Sequence, residues 1–259
     1  LLRNADKTKI SKRKNPVSLN YYQEEGYLKE GILNFLALMG WSFGENKEIF
    51  TIEEMIENFS FDKISLGGPV FDLVKLGWVN NHHMRLKDLD ELTKLAIPYF
   101  VKAGYYADEN LSDEEFAKLR RIVEISREGA HTLKELPEIS SIYFEDEFEL
   151  PVVEEGMNKK ARKSVERLRN SLETEVGKKS IELFVEKINA LNEEISEEEA
   201  KEILHGLQDE LGEGPAAVLM PLRAVVTGKA RGADLYTVIA IIGKERTLKR
   251  VQNTLEKIK

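Results

Sequence analysis

Apolar residues along the chain recur mostly at three- and four-residue intervals, the spacing that places them on one face of an α-helix. Residues 18–40 read as one helix, with Ser18 at the N-cap, Leu28, Ile32, Phe35, Leu36 and Met39 inward and Gly40 as the stop. Thr51-Ile52-Glu53-Glu54 has the capping-box pattern and opens a helix with Ile52, Met55, Ile56 and Phe59 inward. Asp88 to Lys102 sets Leu89, Leu92, Leu95, Ala96, Tyr99 and Phe100 on an inner face, with Pro98 expected to kink it and Gly104 to end it. Ser112-Asp113-Glu114-Glu115 is a second capping box, before Phe116, Leu119, Ile122, Val123 and Ser126 on one face, and Gly129 reads as that helix's C′ glycine. Thr132-Leu133-Lys134-Glu135 starts the next element.

Further on, Ile181, Phe184, Val185, Ile188 and Leu191 mark a helix. Ser196-Glu197-Glu198-Glu199 caps another, which carries Ala200, Ile203, Leu204, Leu207 and Leu211 and closes at Gly212. Pro215 suits a helix start, Gly228, Gly232 and Gly243 punctuate short Val- and Ile-rich helices, and Leu248, Val251, Leu255 and Ile258 give the last one. No sustained period-two alternation and no repeat of fixed length appears. The pattern predicts an all-α protein, an elongated stack of small helical bundles. Between the helices, Gly67-Gly68-Pro69 is expected to turn with positive φ or a close backbone approach. The acidic stretch 140–158, with Pro151 and Gly156, reads as a loop or linker. Trp78 is expected in the core, and His82-His83 at the surface.

Composition narrows the class. With 42% hydrophobic and 32% charged residues over 259 positions, the chain is a folded protein able to bury more than one core. No apolar run approaches the roughly 20 residues that span a bilayer, and no signal-peptide pattern is present, so a cytoplasmic protein away from membranes is expected. The absence of Cys excludes disulfides and thiolate metal sites, and His82, His83, His131 and His205 lack a ligand spacing, so no structural metal is expected. The chain begins at Leu1 without an initiator Met and reads as a piece of a longer protein.

Charge is segregated. The formal total is −8, which does not suggest an RNA binder, but clustering matters more than the sum. Glu135 to Glu155 holds eight acids and no base. Lys159 to Arg169 holds Lys159, Lys160, Arg162, Lys163, Arg167 and Arg169 against Glu166 alone. Leu1 to Lys14 carries Arg3, Lys7, Lys9, Lys12, Arg13 and Lys14 against Asp6. Ser11 and Asn15-Pro16 oppose helix there, leaving a basic loop whose Lys ammonium groups suit an anion that gains charge during a reaction. Composition alone reads the same run as a nucleic-acid-binding or localisation-type segment, or a frayed terminus.

The order of residues distinguishes these. Lys9-Ile10-Ser11-Lys12-Arg13 resembles the KMSKS signature of class I aminoacyl-tRNA synthetases, in the KLSKR form of the glutamyl enzymes. Asn15-Pro16-Val17-Ser18-Leu19, Gly26-Tyr27-Leu28, the stretch Ser65 to Asn80, Pro221 to Gly228 and Ile242 to Arg246 continue the resemblance in family order across nearly the whole chain. It implies ATP-dependent attachment of glutamate to tRNA, with ATP and Mg used by the full enzyme. Lys9, Ser11 and Lys12 would be catalytic, and Lys9, Lys12 and Arg13 would contact ATP. Residues 1–17 would be the signature loop, 18–88 a stem-contact subdomain, and 89–158 and 159–259 the two parts of an anticodon-binding bundle. Lys75 and Trp78 would face the tRNA stem. Arg127, Gly129, Arg223, Gly232 and Ala233 match positions near the anticodon, although Arg223 equally suits an ordinary helix salt bridge.

The resemblance departs at Gly129, where many bacterial glutamyl enzymes carry the arginine that reads the third anticodon base. The partners implied are tRNA-Glu, through the loss of that arginine tRNA-Gln, and ATP and glutamate through a catalytic domain this chain lacks; a monomer is expected. With no nucleotide fold or HIGH signature, the chain is expected to be inactive alone. The alternative is a non-catalytic all-α module for RNA or protein partners.

Overall fold

The computed structural model describes residues 3, 8, 18–44, 46–65, 67–191 and 194–258. Among the described residues, the regular elements are α-helices and a few 3-10 turns joined by loops, and the extended pairings are two isolated bridges, Arg3 with Val70 and Trp41 with Ile64. The chain divides into two compact units, Leu1–Ser140 and Ser141–Lys259.

In the first unit, α1 (Leu19–Glu24) and α2 (Lys29–Leu38) replace the single helix that the apolar spacing predicts. Gly26 causes the break. Its φ is +83°, its carbonyl accepts from Leu133 N–H at 2.9 Å, and a Cβ there would stand 2.6 Å from Lys134 N. The long-range approach of residues 133–134 therefore decides a local bend. Tyr22, Phe35, Leu76 and Val79 form the core between α1, α2 and α4 (Leu73–Leu86).

The capping box at Thr51 is present and starts α3 (Ile52–Asn58), but α3 buries no residue. Ile52, Ile56 and Phe59, expected inward, are exposed, as are Leu36 and Leu95. Gly67 does not take a positive φ, and a Cβ there would meet only Ser65 Oγ at 3.5 Å. Asp88 caps α5 (Leu89–Lys102), which contains Pro98 and buries Leu92, Ala96 and Phe100 against α6 (Asp113–Ser126). The Ser112 capping box is present. α6 ends with Arg127 as its cap, and Gly129 stands two residues beyond without a left-handed φ, so it is not the C′ glycine. A 3-10 turn at Leu133–Glu135 leads into α7 (Leu136–Ile139).

His83 is buried, unlike the surface pair expected, because the α4 helix turns it inward. Its Nε2 lies 2.9 Å from Asn34 Oδ1, so the neutral ring donates there. Desolvation pulls its pKa below the ordinary histidine value, against the raising effect of Glu30.

The second unit holds α8 (Lys159–Glu173), α9 (Glu175–Asn189), α10 (Glu197–Leu211), α11 (Pro215–Thr227) and α12 (Leu235–Ile258). The apolar α11 is central and packs on the other four. α10 has the Ser196 capping box and ends at left-handed Gly212, and Pro215 opens α11. Gly243, with φ 76° and ψ 176°, interrupts α12.

The acidic stretch is not a free linker. After a 3-10 turn at Ser141–Tyr143 it runs across α12 and is fastened there. Asp146 pairs with Arg246 at 2.6 Å and Lys249 at 2.9 Å, and Lys257 pairs with Glu149 at 2.8 Å. Buried Arg250 donates to the carbonyls of Ile142 and Glu145. Its partners lie roughly a hundred residues away, which is why the acids read as a solvated linker.

Candidate RNA-binding surfaces

The strongest candidate surface lies in the second unit. Asn158 caps α8 by accepting from Ala161 N–H at 2.9 Å, and Val165, Leu168 and Leu172 seat one face of the helix. These three apolar positions in a highly polar stretch hold a helix that the apolar pattern alone does not announce. The opposite face is basic. Lys160, Lys163 and Arg167 line a groove of about 800 Å³ with Asn170, Ala217 and Arg231, and Glu166 is the acid in its wall. Among the described residues, none of Lys160, Lys163, Arg167 or Arg231 makes an ion pair, whereas Arg162 is paired with Glu166 at 2.9 Å. The amino end of α11, with no acid in its first turn, adds partial positive charge to the same wall.

A second opening of about 290 Å³ adjoins the groove and shares Ala216, Met220 and Ala230 with it. Arg223, His205, Lys201, Asp234 and Tyr236 supply its polar side chains. Among the described residues Arg223 makes no salt bridge: its Nη2 donates to Ala233 O at 2.8 Å, tying the 228–234 loop to α11. Burial lowers the Arg223 pKa, and the Asp234 charge opposes that shift. Gly232, at φ +150°, supplies backbone that L side chains rarely adopt, directly before the bonded Ala233 carbonyl. Arg223, Gly232 and Ala233 are thus brought together.

In the first unit, Lys75 and Trp78 stand one helical turn apart on α4. Lys75 Nζ lies 3.9 Å from the Trp78 ring centroid and 2.5 Å from Glu48 Oε2. The His82 ring packs on Trp78 at 4.3 Å, with its Nδ1 2.9 Å from the Trp78 carbonyl. Trp78 is 37% exposed, so the expectation of a core tryptophan fails. The i, i+3 and i, i+4 spacings on the outer face of α4 give it a lysine and a histidine as neighbours in place of a core.

Arg127 and Gly129 lie on the turn after α6. Arg127 Nη1 donates to Lys87 O at 3.5 Å. A Cβ at Gly129 would find only Ser126 O, at 3.9 Å, so the position is open. Asn80 and Asn81 hold this turn, a role the sequence reading missed. Asn80 Nδ2 donates to His131 O at 2.6 Å while its Oδ1 accepts Leu28 N–H at 2.8 Å. Asn81 Nδ2 donates to Arg127 O and Ala130 O. The available signal was two adjacent amides on the otherwise inward-facing side of a helix. Lys9, Ser11, Lys12 and Arg13 lie outside the described residues.

The chain as a whole is similar to known proteins. Residues 91–255 match the family model described as "Anticodon binding domain", and the chain belongs to that family. Residues 1–78 match the model for the catalytic domain of class I tRNA synthetases (E and Q). The chain is 60% identical over 258 residues to a glutamate–tRNA ligase of Fusobacterium nucleatum, covering 99% of this chain and 51% of that protein. It is 39% identical over 256 residues to a glutamate–tRNA ligase of Thermus thermophilus, covering 98% and 50%. The solved structure of a glutamate tRNA ligase from Elizabethkingia meningosepticum, in complex with its amino acid, is similar with a TM-score of 0.75 at 28% identity, covering 100% of this chain and 50% of the other. The chain thus spans about half the length of the relatives it matches.

Proposed function

We propose that this chain is the RNA-recognising portion of a glutamate–tRNA ligase, and that its second unit holds the anticodon of tRNA-Glu. The observation that carries this reading is the groove of Lys160, Lys163, Arg167 and Arg231, cations without acidic partners among the described residues in a protein of net charge −8. Such groups attract phosphates by releasing counterions. Beside them, Arg223 and the backbone of the 228–234 loop offer hydrogen-bonding groups to the edges of unstacked bases. Lys75 and Trp78 serve the tRNA stem, the lysine as a phosphate contact. The division into 1–17, 18–88, 89–158 and 159–259 given by the resemblance belongs to this reading.

The whole protein, in this reading, attaches glutamate to tRNA at the expense of ATP, as a monomer in the cytoplasm. Lys9 and Lys12 steady the charge that develops on the phosphates as the adenylate forms, Ser11 and Arg13 belong to the same loop, and Mg accompanies the ATP. Gly129 extends the reading to tRNA-Gln. A residue without a side chain cannot present a guanidinium fork to a base edge, a contact worth about 1–3 kcal/mol in discrimination. Arg127, two residues earlier, is the nearest alternative.

Aminoacylation by the full-length protein tests this. Glutamate is expected on tRNA-Glu and, less selectively than in an arginine-bearing enzyme, on tRNA-Gln. Failure to charge either RNA overturns the reading, and strict exclusion of tRNA-Gln overturns the Gly129 part alone. The 259-residue chain by itself is expected to give no ATP–pyrophosphate exchange.

A further inference from the structure

The loop 228–234 contributes Ala230 and Arg231 to the groove, and its departure from α11 is fixed by residues that line neither opening. α11 ends at Thr227, and Gly228 follows with φ +64°. The last carbonyls of a helix lack partners within it. Here they are taken by α12: Arg250 Nη1 donates to Val226 O at 3.2 Å, and Thr254 Oγ1 donates to Val225 O at 3.3 Å.

The same Arg250 fork donates through Nη2 to Ile142 O at 2.6 Å and to Glu145 O. One guanidinium therefore joins the end of α11 to the acidic 141–149 segment. That segment carries Phe148, whose ring lies 5.9 Å from the Arg250 guanidinium carbon and fills the space a Cβ at Gly228 would need. Lys257 secures it by donating to Phe148 O at 3.3 Å. Beyond Gly228, Thr227 Oγ1 accepts Lys229 N–H at 3.1 Å, and Arg223 holds Ala233 O at the far end.

Arg250 is 1% exposed and, among the described residues, makes no ion pair; carbonyl dipoles and the Phe148 face surround it, and the Asp146 and Glu145 carboxylates act on its charge from farther away. An apolar side chain of similar volume would fill the space but leave the Val226, Ile142 and Glu145 carbonyls without this donor. What an apolar group cannot do is hold three carbonyls in fixed relative position. We infer that Arg250 and Phe148 are positioning residues for the 228–234 loop: through them the acidic 141–149 segment sets where Ala230, Arg231 and Ala233 stand against a bound RNA base.

This inference rests on the RNA-binding reading above. The test uses the 259-residue chain and two RNA hairpins, one with the tRNA-Glu anticodon loop and one with its middle anticodon base changed. Affinities for both are measured for the unsubstituted chain, Arg250→Met and Phe148→Leu, with amide exchange of 229–233 followed beside that of α9. Each variant is expected to cut the ratio of the two affinities by about tenfold, the size of one lost base contact. The dependence of binding on salt should stay unchanged, because Lys160, Lys163 and Arg167 remain. Exchange at 229–233 should quicken while α9 stays protected.

A ratio that survives both substitutions overturns the inference, as does a loss of protection spread evenly over α9 and the loop. If Arg250→Met does not fold, Phe148→Leu, which keeps every polar contact of the segment, decides the matter. An unsubstituted chain that binds neither hairpin overturns the RNA-binding reading itself, and one that binds both alike overturns the inference alone.

Discussion

Asn81 reaches from α4 to Ala130, its side-chain amide donating to the Ala130 carbonyl at 2.7 Å and also to Arg127 O at 2.9 Å. One buried amide thereby closes both ends of the turn that carries Gly129. Replacing it by Leu leaves two carbonyls without this donor. A buried acceptor left unpaired costs roughly 1–3 kcal/mol. Asn81→Leu is therefore expected to lower the urea midpoint of the first unit by an amount corresponding to about 2 kcal/mol or more, and to speed amide exchange at residues 128–130. A variant with unchanged midpoint would show that the turn is held by other contacts.

His83 gives the first unit a pH dependence. Desolvation lowers its pKa in the folded state from the ordinary value of 6.5, and its neutral ring donates to Asn34 Oδ1. Asn34 in turn accepts Phe50 N–H at 3.2 Å and donates to Glu48 O at 2.9 Å. The unfolded chain takes up a proton near pH 6.5, while the folded chain resists until lower pH. The contribution of His83 is thus fully present above that value and is lost as pH falls through the lowered, folded pKa. Urea titrations between pH 7.5 and 5 should show falling stability, and His83→Gln should flatten that part of the curve. The same slope in the substituted chain would place the titration elsewhere.

Local signals were legible and distant ones were not. The capping boxes at Thr51, Ser112 and Ser196 form as read, because each needs only a glutamate three residues on. Gly212 and Gly228 end their helices and Gly243 interrupts α12, each with a positive φ that glycine adopts without a distant partner. The split at Gly26 escaped because residues 133–134 impose it from more than a hundred positions away. The acids at 146 and 149 looked solvated because Arg246, Lys249 and Lys257 meet them only after the chain has returned through five helices. Helical spacing assigned Ile52, Ile56 and Phe59 to a face correctly but could not say whether anything in this chain covers that face. At the candidate site, Arg223, Gly232 and Ala233 were legible through a resemblance, and the basic groove only as a charge run.

The groove makes a salt-dependence prediction. Lys163 and Arg167 have no acidic partner among the described residues, so substituting them removes no folded-state ion pair. Lys163→Ala and Arg167→Ala should each weaken tRNA binding for any anticodon and reduce the slope of log affinity against log salt by about one. Lys179→Ala, which removes a lysine paired to Glu182 at 2.9 Å, should leave that slope unchanged. Equal slopes in all the variants would remove the groove from the binding surface.

Gly129 can be replaced by arginine without disturbing the turn. A Cβ there meets only Ser126 O, at 3.9 Å, and φ is not positive, so the backbone accepts a side chain without strain. Exposed substitutions of this kind usually change stability by no more than about 0.5 kcal/mol, so an effect on RNA choice can be read without a folding correction. A bidentate contact to a base edge is worth about 1–3 kcal/mol, or roughly a tenfold to hundredfold change in ratio. In the full-length protein, Gly129→Arg is therefore expected to raise kcat/KM for tRNA-Glu relative to tRNA-Gln by that factor. Gly129→Gln, which carries one amide in place of the fork, should move the ratio less. A ratio unmoved by arginine would separate the choice of tRNA from this turn and shift it to the surface around Arg223.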